Sequence, residues 1–276
     1  MLLERIALAP SDPARVYVSG WRPPSGGAPR RAFLYASRDG ARTLEPTELA
    51  LEDGERIPYL VGVDPTDADR VFVRIARGEL DDRPERLLAS DDGGRSFISV
   101  LELPRLTSFA IAGDGLTVWA GAAGGLWTAR GGAMGFTQVS DVAVTCLHAR
   151  GPELFVCADP RSAPFALGRS MDGGATIEAL LRIEEVTELA ECPRCSTAGA
   201  QCPAWVPDLL ADYGIWLGSG DAGTAMTGLP RDAGVPPECR PPPGCGCRAG
   251  ALRADLGALL VTILLAAAAR RRRRSA

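Results

Sequence analysis

One histidine, eight cysteines, four tyrosines and 30 arginines without a single lysine are the groups with which this chain could do chemistry. Hydrolysis by a nucleophile and a base would have to use His148, which stands two residues from Cys146 in VTCLHARGPE. A strand would put both on one face, but the segment reads as a blade turn, and a bare C-x-H does not define a catalytic pair. There is no G-x-S-x-G elbow, no phosphate-binding Walker loop and no metal-spaced histidine cluster. Cys192, Cys195 and Cys202, in ECPRCSTAGAQCPAW, supply a C-x-x-C and one further thiol but no fourth ligand. A stapled loop, Cys192–Cys202 or Cys195–Cys202, is therefore expected over a structural zinc site. Cys146 and Cys157 flank Gly151–Pro152 symmetrically, so they should face each other across one hairpin, as a disulfide or as two buried thiols. On this reading the chain has no catalytic residue, no cofactor and no metal.

The elements that would position any site are set by a repeat. Leu8–Val18, LAPSDPARVYV, matches Val63–Val73, VDPTDADRVFV, at an offset of 55, with Pro10 on Pro65, Asp12 on Asp67 and Arg15 on Arg70. Three octapeptides follow the same logic: SRDGARTL at Ser37–Leu44, SDDGGRSF at Ser90–Phe97 and SMDGGATI at Ser170–Ile177. Within each unit the order is apolar strand, polar turn, apolar strand, variable loop, strand, octapeptide, strand. A weaker unit over Phe109–Val139 has Arg130 where Asp is expected, and a fourth starts at Val142. Short apolar runs with Gly/Asp turns at this period predict four-stranded antiparallel sheets, and radial stacking of such sheets is the propeller architecture.

The octapeptides resemble the Asp-box, the S-x-D-x-G-x-T-W turn of sialidases, sortilin-type receptors and related propellers. The resemblance implies a structural turn: Ser37, Asp39, Ser90, Asp92, Ser170 and Asp172 would tie the backbone. Gly94 and Gly174 would take the positive φ of a tight turn, and Leu44, Phe97 and Ile177 would anchor it on the core. The first copy has Ala41 where Gly is usual, and none ends in Trp. The expected fold is an all-β propeller over residues 1–190 with about four visible blades. Because a blade already begins near residue 5, the reading leaves open a ring of four or further blades N-terminal to it.

The same resemblance raises a glycosidase alternative. Sialidase-like enzymes need an arginine cluster, a Tyr–Glu nucleophilic pair and an acidic Asp. Only Tyr17, Tyr35, Tyr59 and Tyr213 are present, and ERIPYL at Glu55–Leu60 has the letters RIP but Glu where an aromatic residue should precede them. An enzyme of this kind would need catalytic groups from missing N-terminal blades.

Beyond the repeats, residues 191–217 form a Cys-containing segment in which Trp205, Leu209 and Leu210 could cap the propeller. Residues 218–253 read as a Gly/Pro-rich stalk. Residues 254–276 carry LGALLVTILLAAAA followed by Arg270, Arg271, Arg272, Arg273 and Arg274. Fourteen residues span about 21 Å, so a full crossing of roughly 30 Å must draw in residues back to Ala249, with Arg253 and Asp255 at the interface. The arginines argue against burial of this helix and place it, by the positive-inside rule, with the preceding chain outside.

Cys-Gly-Cys in PPPGCGCR, the short apolar helix and the arginine run together resemble the C-terminal sorting signal of myxobacterial surface proteins. That resemblance implies a membrane anchor, processing at Cys245 or Cys247 by a membrane protease, and delivery to the cell surface. Pairing of these two cysteines with others in the chain is the alternative. The first residues, MLLERIALAP, lack the apolar run of a secretory signal. Without the five terminal arginines the chain carries 25 Arg against 34 acidic residues, an acidic body unsuited to nucleic acid. The expectation is thus an exported, membrane-tethered propeller that binds an unknown surface protein or glycan and does no chemistry of its own.

Overall fold

A computed structural model describes residues 1–131 and 135–185. Each repeat unit becomes one four-stranded antiparallel meander. The first sheet consists of β1 (Leu2–Ala9), β2 (Asp12–Arg22), β3 (Arg31–Ser37) and β4 (Glu45–Leu49), and the second of β5 (Glu55–Val63), β6 (Val71–Arg77), β7 (Glu85–Ser90) and β8 (Ile98–Leu103). The third has β9 (Leu106–Ile111), β10 (Thr117–Ala122), β11 (Gly125–Arg130) and β12 (Thr137–Ser140). The fourth has β13 (Val144–Arg150), β14 (Glu153–Ala158), β15 (Leu167–Ser170) and β16 (Glu178–Leu181), followed by a single 3-10 turn at Ile183–Glu185. The described residues are therefore all-β, and strands are neighbours in space in the order in which they occur in the chain.

Burial explains why the second strand of a unit reads as a continuous apolar run. β2 and β10 are interior strands of their sheets, with Val16–Gly20 and Val118–Ala122 all buried. The outer strands β4, β8, β12 and β16 are mostly exposed. Three apolar clusters join consecutive sheets. Tyr17 and Leu34 meet Val71, Val73 and Leu88 between the first two sheets. Phe72 and Leu87 meet Leu106 and Val118 between the second and third, and Trp119 and Leu126 meet Leu154 and Val156 between the third and fourth.

The first strands line up in series: β1 packs on β5, β5 on β9 and β9 on β13, whereas β13 and β1 do not pack on each other to that extent. Among the described residues the four sheets thus stand in series, with the first and the fourth at its ends. β1, at one end, leaves Leu3, Ile6 and Leu8 at 65%, 70% and 63% exposure.

Two expectations need correction. His148 does not lie in a turn: β13 runs on to Arg150, His148 pairs with Phe155, and the loop is only the two residues at Gly151–Pro152. A two-residue hairpin with Gly151 at φ 57° keeps both strands long. The weak third unit begins earlier than Phe109, at Leu106, because Ser108 pairs with Gly121 and Leu106 with Ala122 across an irregularity at Thr107. The Cys-containing segment 191–217, the stalk 218–253 and the C-terminal helix 254–276 lie outside the described residues. Among the described residues no helix is long and apolar enough to cross a membrane.

Candidate functional site

The meander divides the loops of the series between two ends. The octapeptides join the third and fourth strands of the first, second and fourth sheets at one end. The loops between second and third strands, and the connections from sheet to sheet, lie at the other.

At the octapeptide end, the three turns share one hydrogen-bond pattern. Ser90 Oγ donates to Asp92 Oδ1 at 2.8 Å and accepts from Gly94 N at 2.9 Å; Asp92 accepts from Ser96 N at 3.0 Å and Ser96 Oγ at 2.6 Å. Ser37 and Asp39 do the same for Ala41 and Thr43, and Ser170 and Asp172 for Gly174 and Thr176. Bonding from the Thr43 backbone and hydroxyl, with Ser37, holds the Asp39 carboxyl down at about 2. The hydroxyl and backbone of Ser96 push Asp92 well below the ordinary carboxylate range, and those of Thr176 do the same to Asp172. A carboxylate so saturated by its own turn is a structural acceptor with no protonation chemistry near neutral pH.

The turns also lock sheet to sheet. Gly93 and Gly94 take φ of 76° and 82°, which lets the backbone settle on the preceding sheet; a Cβ at Gly94 would lie 2.7 Å from Leu34 Cδ2. Gly174 rests in the same way on Leu126. Tyr17 Oη donates to Ala68 O at 2.7 Å, and Trp119 Nε1 to Gly173 O at 2.8 Å, each reaching from one sheet to the next. Burial, before the opposing pull of Arg15, pushes the Tyr17 phenol up to about 12. Phe97 and Ile177 are half-buried against these junctions, while Leu44 is 45% exposed.

Cys146 stands opposite Cys157 and is joined to it by a disulfide. His148 shares that face of the fourth sheet with the disulfide and Phe155. Cys192, Cys195, Cys202, Cys245, Cys247 and the five terminal arginines lie outside the described residues. Tyr35 Oη contacts Met1 Sδ, and Tyr59 lies 5.7 Å from both the Arg5 and Arg74 guanidinium carbons.

The opposite end carries features that the repeats do not contain. A cavity of about 620 Å³ is lined by Arg56, Gly78, Glu79, Leu80, Asp81 and Asp82. A second, of about 290 Å³, is lined by Leu103, Pro104, Arg105, Gly124 and Trp127 among others, and shares Asp82 with the first. Together they make a groove across the second and third sheets with acidic groups, two arginines and one indole. Arg105, itself at φ 51°, donates to Glu79 O at 2.9 Å and ties the two halves.

A charged network holds up the second sheet beneath this groove. Glu55, whose side chain is fully buried, accepts both Nε and Nη2 of Arg86 at 2.7 and 2.6 Å, and Glu85 accepts Arg74 at 2.9 and 3.0 Å. Arg77 donates to Asp53 O and Pro84 O, both at 2.6 Å. Asp81 is held down at about 2, chiefly by the guanidinium of Arg83, which is raised in return by Asp81 and Asp53. Gly54 takes φ 83°, a left-handed conformation that favours glycine. The carboxylates of this network are committed to arginine forks, which fixes the loops rigidly. Among the described residues no cluster of three or more His, Cys, Asp or Glu could hold a metal ion.

No protein-family model matches the chain, and no curated protein matches it. Solved structures similar to it include a GH74 enzyme of Niastella koreensis, at 16% identity and a TM-score of 0.45, covering 63% of this chain and 29% of that one. An ancestral GH74 enzyme matches at 14% identity and a TM-score of 0.46, covering 63% of this chain and 26% of that one. The β-propeller domain of the Trilobed protease from Pyrococcus furiosus matches at 7% identity and a TM-score of 0.37, covering 65% of this chain and 70% of that one. This chain thus spans less than a third of either GH74 enzyme. Likeness at this level says nothing of activity, and the architecture rests on the sheets themselves.

Proposed function

We propose that the chain is a surface-exported, membrane-tethered β-propeller of the Asp-box kind that works as a binding module without catalysis of its own. The observation that carries this reading is the separation of the two ends. The Asp-box carboxylates are saturated by their own turns and serve to lock sheet to sheet. Groups able to meet a ligand, Trp127, Arg56, Arg105 and Asp82, gather in the groove at the opposite end. An indole beside fixed charges suits a polar surface ligand with one apolar face, as many glycans have. The Cys-Gly-Cys element, apolar segment and arginine run support the membrane tether and surface address.

The reading is tested by applying purified protein to an immobilised array of neutral and acidic oligosaccharides, with a fluorogenic sialoside assayed in parallel. Selective retention that Trp127→Ala and Arg105→Ala each weaken at least tenfold is expected, with no turnover. Retention unchanged by both variants would remove the groove from the function, and turnover of the sialoside would establish the glycosidase alternative. Intact mass of protein recovered from its native envelope tests the address: cleavage at Cys245 or Cys247 is expected, and a chain still ending at Ala276 contradicts processing.

A further inference from the structure

Four arginines of the second sheet and its loops are committed to carboxylates: Arg74 to Glu85, Arg77 to Glu52, Arg83 to Asp81 and Arg86 to Glu55. Two arginines at the same end break that pattern. The half-buried Arg30 donates from Nη1 to Arg56 O at 3.4 Å, and among the described residues neither arginine pairs with a carboxylate. Burial, and then the neighbouring charge of Arg56, hold the Arg30 guanidinium below its ordinary value, so the two cations act on each other.

The strands explain how both come to be there. Side chains alternate along β2, so Trp21 shares the face of Tyr17 and Ser19, which meet the second sheet at Ala68 O and Leu60 N. Arg30 stands two residues before Ala32, the partner of Trp21, and so falls on that face, with its guanidinium 3.9 Å from the indole centroid. A guanidinium held by its flat side offers its N–H groups in plane, and one of them goes to Arg56 O. Arg56 owes its place to a fault in the ladder. The register of β5 against β6 shifts between Glu55 and Ile57, which takes Arg56 out of the pairing and re-aims it. Its guanidinium lies over Gly78, where a Cβ would be 3.0, 3.1 and 3.3 Å from Cζ, Nε and Nη2, on the wall of the larger cavity. The cluster thus belongs to the junction of the first and second sheets and opens on the groove.

We infer that Arg30 and Arg56 form an anion subsite of the groove, and that the ligand is an oligosaccharide carrying carboxylate or sulfate groups. The inference rests on the groove being the binding face. Two guanidiniums brought together without a counter-charge suit an oxyanion, which accepts from both at once. Outside the terminal run the chain carries 25 Arg against 34 acidic residues, so attraction of an anion is local to this pair. Glu79 and Asp82 line the same cavity as Arg56 and repel further charge, which favours a ligand with spaced anionic groups over a dense polyanion. An acidic side chain of a protein partner would answer the same charges. A sugar is the better fit because Trp127, Leu103 and Pro104 line the smaller cavity of the groove and give its ring an apolar wall.

The test is retention of the full chain, in detergent, on an array in which each oligosaccharide backbone is printed neutral, with carboxylate at C6 and with sulfate at C6. For the backbones retained, at least one acidic form is expected to bind about tenfold more tightly than its neutral counterpart, as charge-assisted hydrogen bonds imply. Arg30→Gln and Arg56→Gln should each remove that advantage and leave the neutral affinity unchanged, which also shows that both variants fold. Arg56→Lys, which keeps the charge and loses the fork, should retain part of it. The terminal arginines are common to all these chains, so the difference between them reads the pair alone. Preference for carboxylate alone or for sulfate alone supports the subsite and names the group it takes. Equal binding of neutral and acidic forms, weakened throughout by Trp127→Ala, overturns the anion subsite and leaves the groove as the binding face. Retention on no backbone overturns both. Poly-glutamate that displaces the acidic sugar at equal charge concentration also overturns the inference, since a merely cationic or protein-facing patch behaves so.

Discussion

Replacing Gly94 by Ala tests the claim that the octapeptide turns act as sheet-to-sheet locks. Gly94 sits at φ 82°, a left-handed conformation that costs an L-residue about 1–2 kcal/mol. Its new Cβ would also lie 2.7 Å from Leu34 Cδ2, and Leu34 is fully buried with little room to withdraw. Overpacking of that kind adds roughly 1–3 kcal/mol, so the whole loss should be about 2–5 kcal/mol. Gly40→Ala separates the two causes. It has a similar φ of 71° but nothing within 4 Å of its Cβ, and should lose only the conformational part, about 1–2 kcal/mol. Equilibrium urea unfolding by circular dichroism, in one detergent buffer for all variants, gives both values from the midpoint and slope. If Gly94→Ala costs no more than Gly40→Ala, the turn does not bear on the preceding sheet as described, and the locking argument fails.

Ala41→Gly should act in the opposite direction, raising the urea midpoint by an amount equivalent to about 0.5–1 kcal/mol, because Ala41 already holds φ 66°. Asp39 has its folded-state pKa depressed to about 2, so its contribution is complete above the ordinary carboxylate value near 4 and is lost as pH falls through about 2. Melting temperature should accordingly fall between about pH 4 and 2, and an Asp39→Asn, Asp92→Asn, Asp172→Asn triple variant, less stable at pH 7, should show a flatter profile across that window. Glu55→Gln leaves Arg86 and Arg77 with the half-exposed Glu52 as their remaining shared carboxylate and should cost about 1–3 kcal/mol by the same urea assay.

How much of this was legible without coordinates depends on whether a feature repeats. The offset that sets Arg15 on Arg70 placed β1, β2, β5 and β6, and the symmetry of Cys146 and Cys157 about Gly151–Pro152 placed them opposite one another. The groove was not legible, because Arg56, Asp82, Arg105 and Trp127 come from loops and a strand face that do not recur from sheet to sheet. The Glu55–Arg86 fork escaped for a related reason. Its partners are 31 residues apart on strands that are not hydrogen-bonded to each other, and buried charges leave no periodic trace. His148 was misplaced because its polar neighbours suggested a turn, whereas a strand at one end of the series tolerates polar groups at its exposed positions.

Since the second and last octapeptides finish the cores of the first and third sheets, the chain carries an order of assembly. The first sheet can pair its own strands as soon as Leu49 has emerged, yet Tyr17 and Leu34 stay uncovered until Gly94 arrives. Elongation at roughly 5–20 residues per second makes that interval on the order of several seconds, far longer than the microseconds a hairpin needs to form. The first and third sheets would therefore wait, paired but not closed, for Gly94 and Gly174, and a pause in synthesis just before either would prolong the exposure of Tyr17 or Trp119. Such intervals are when a holdase chaperone would find this chain.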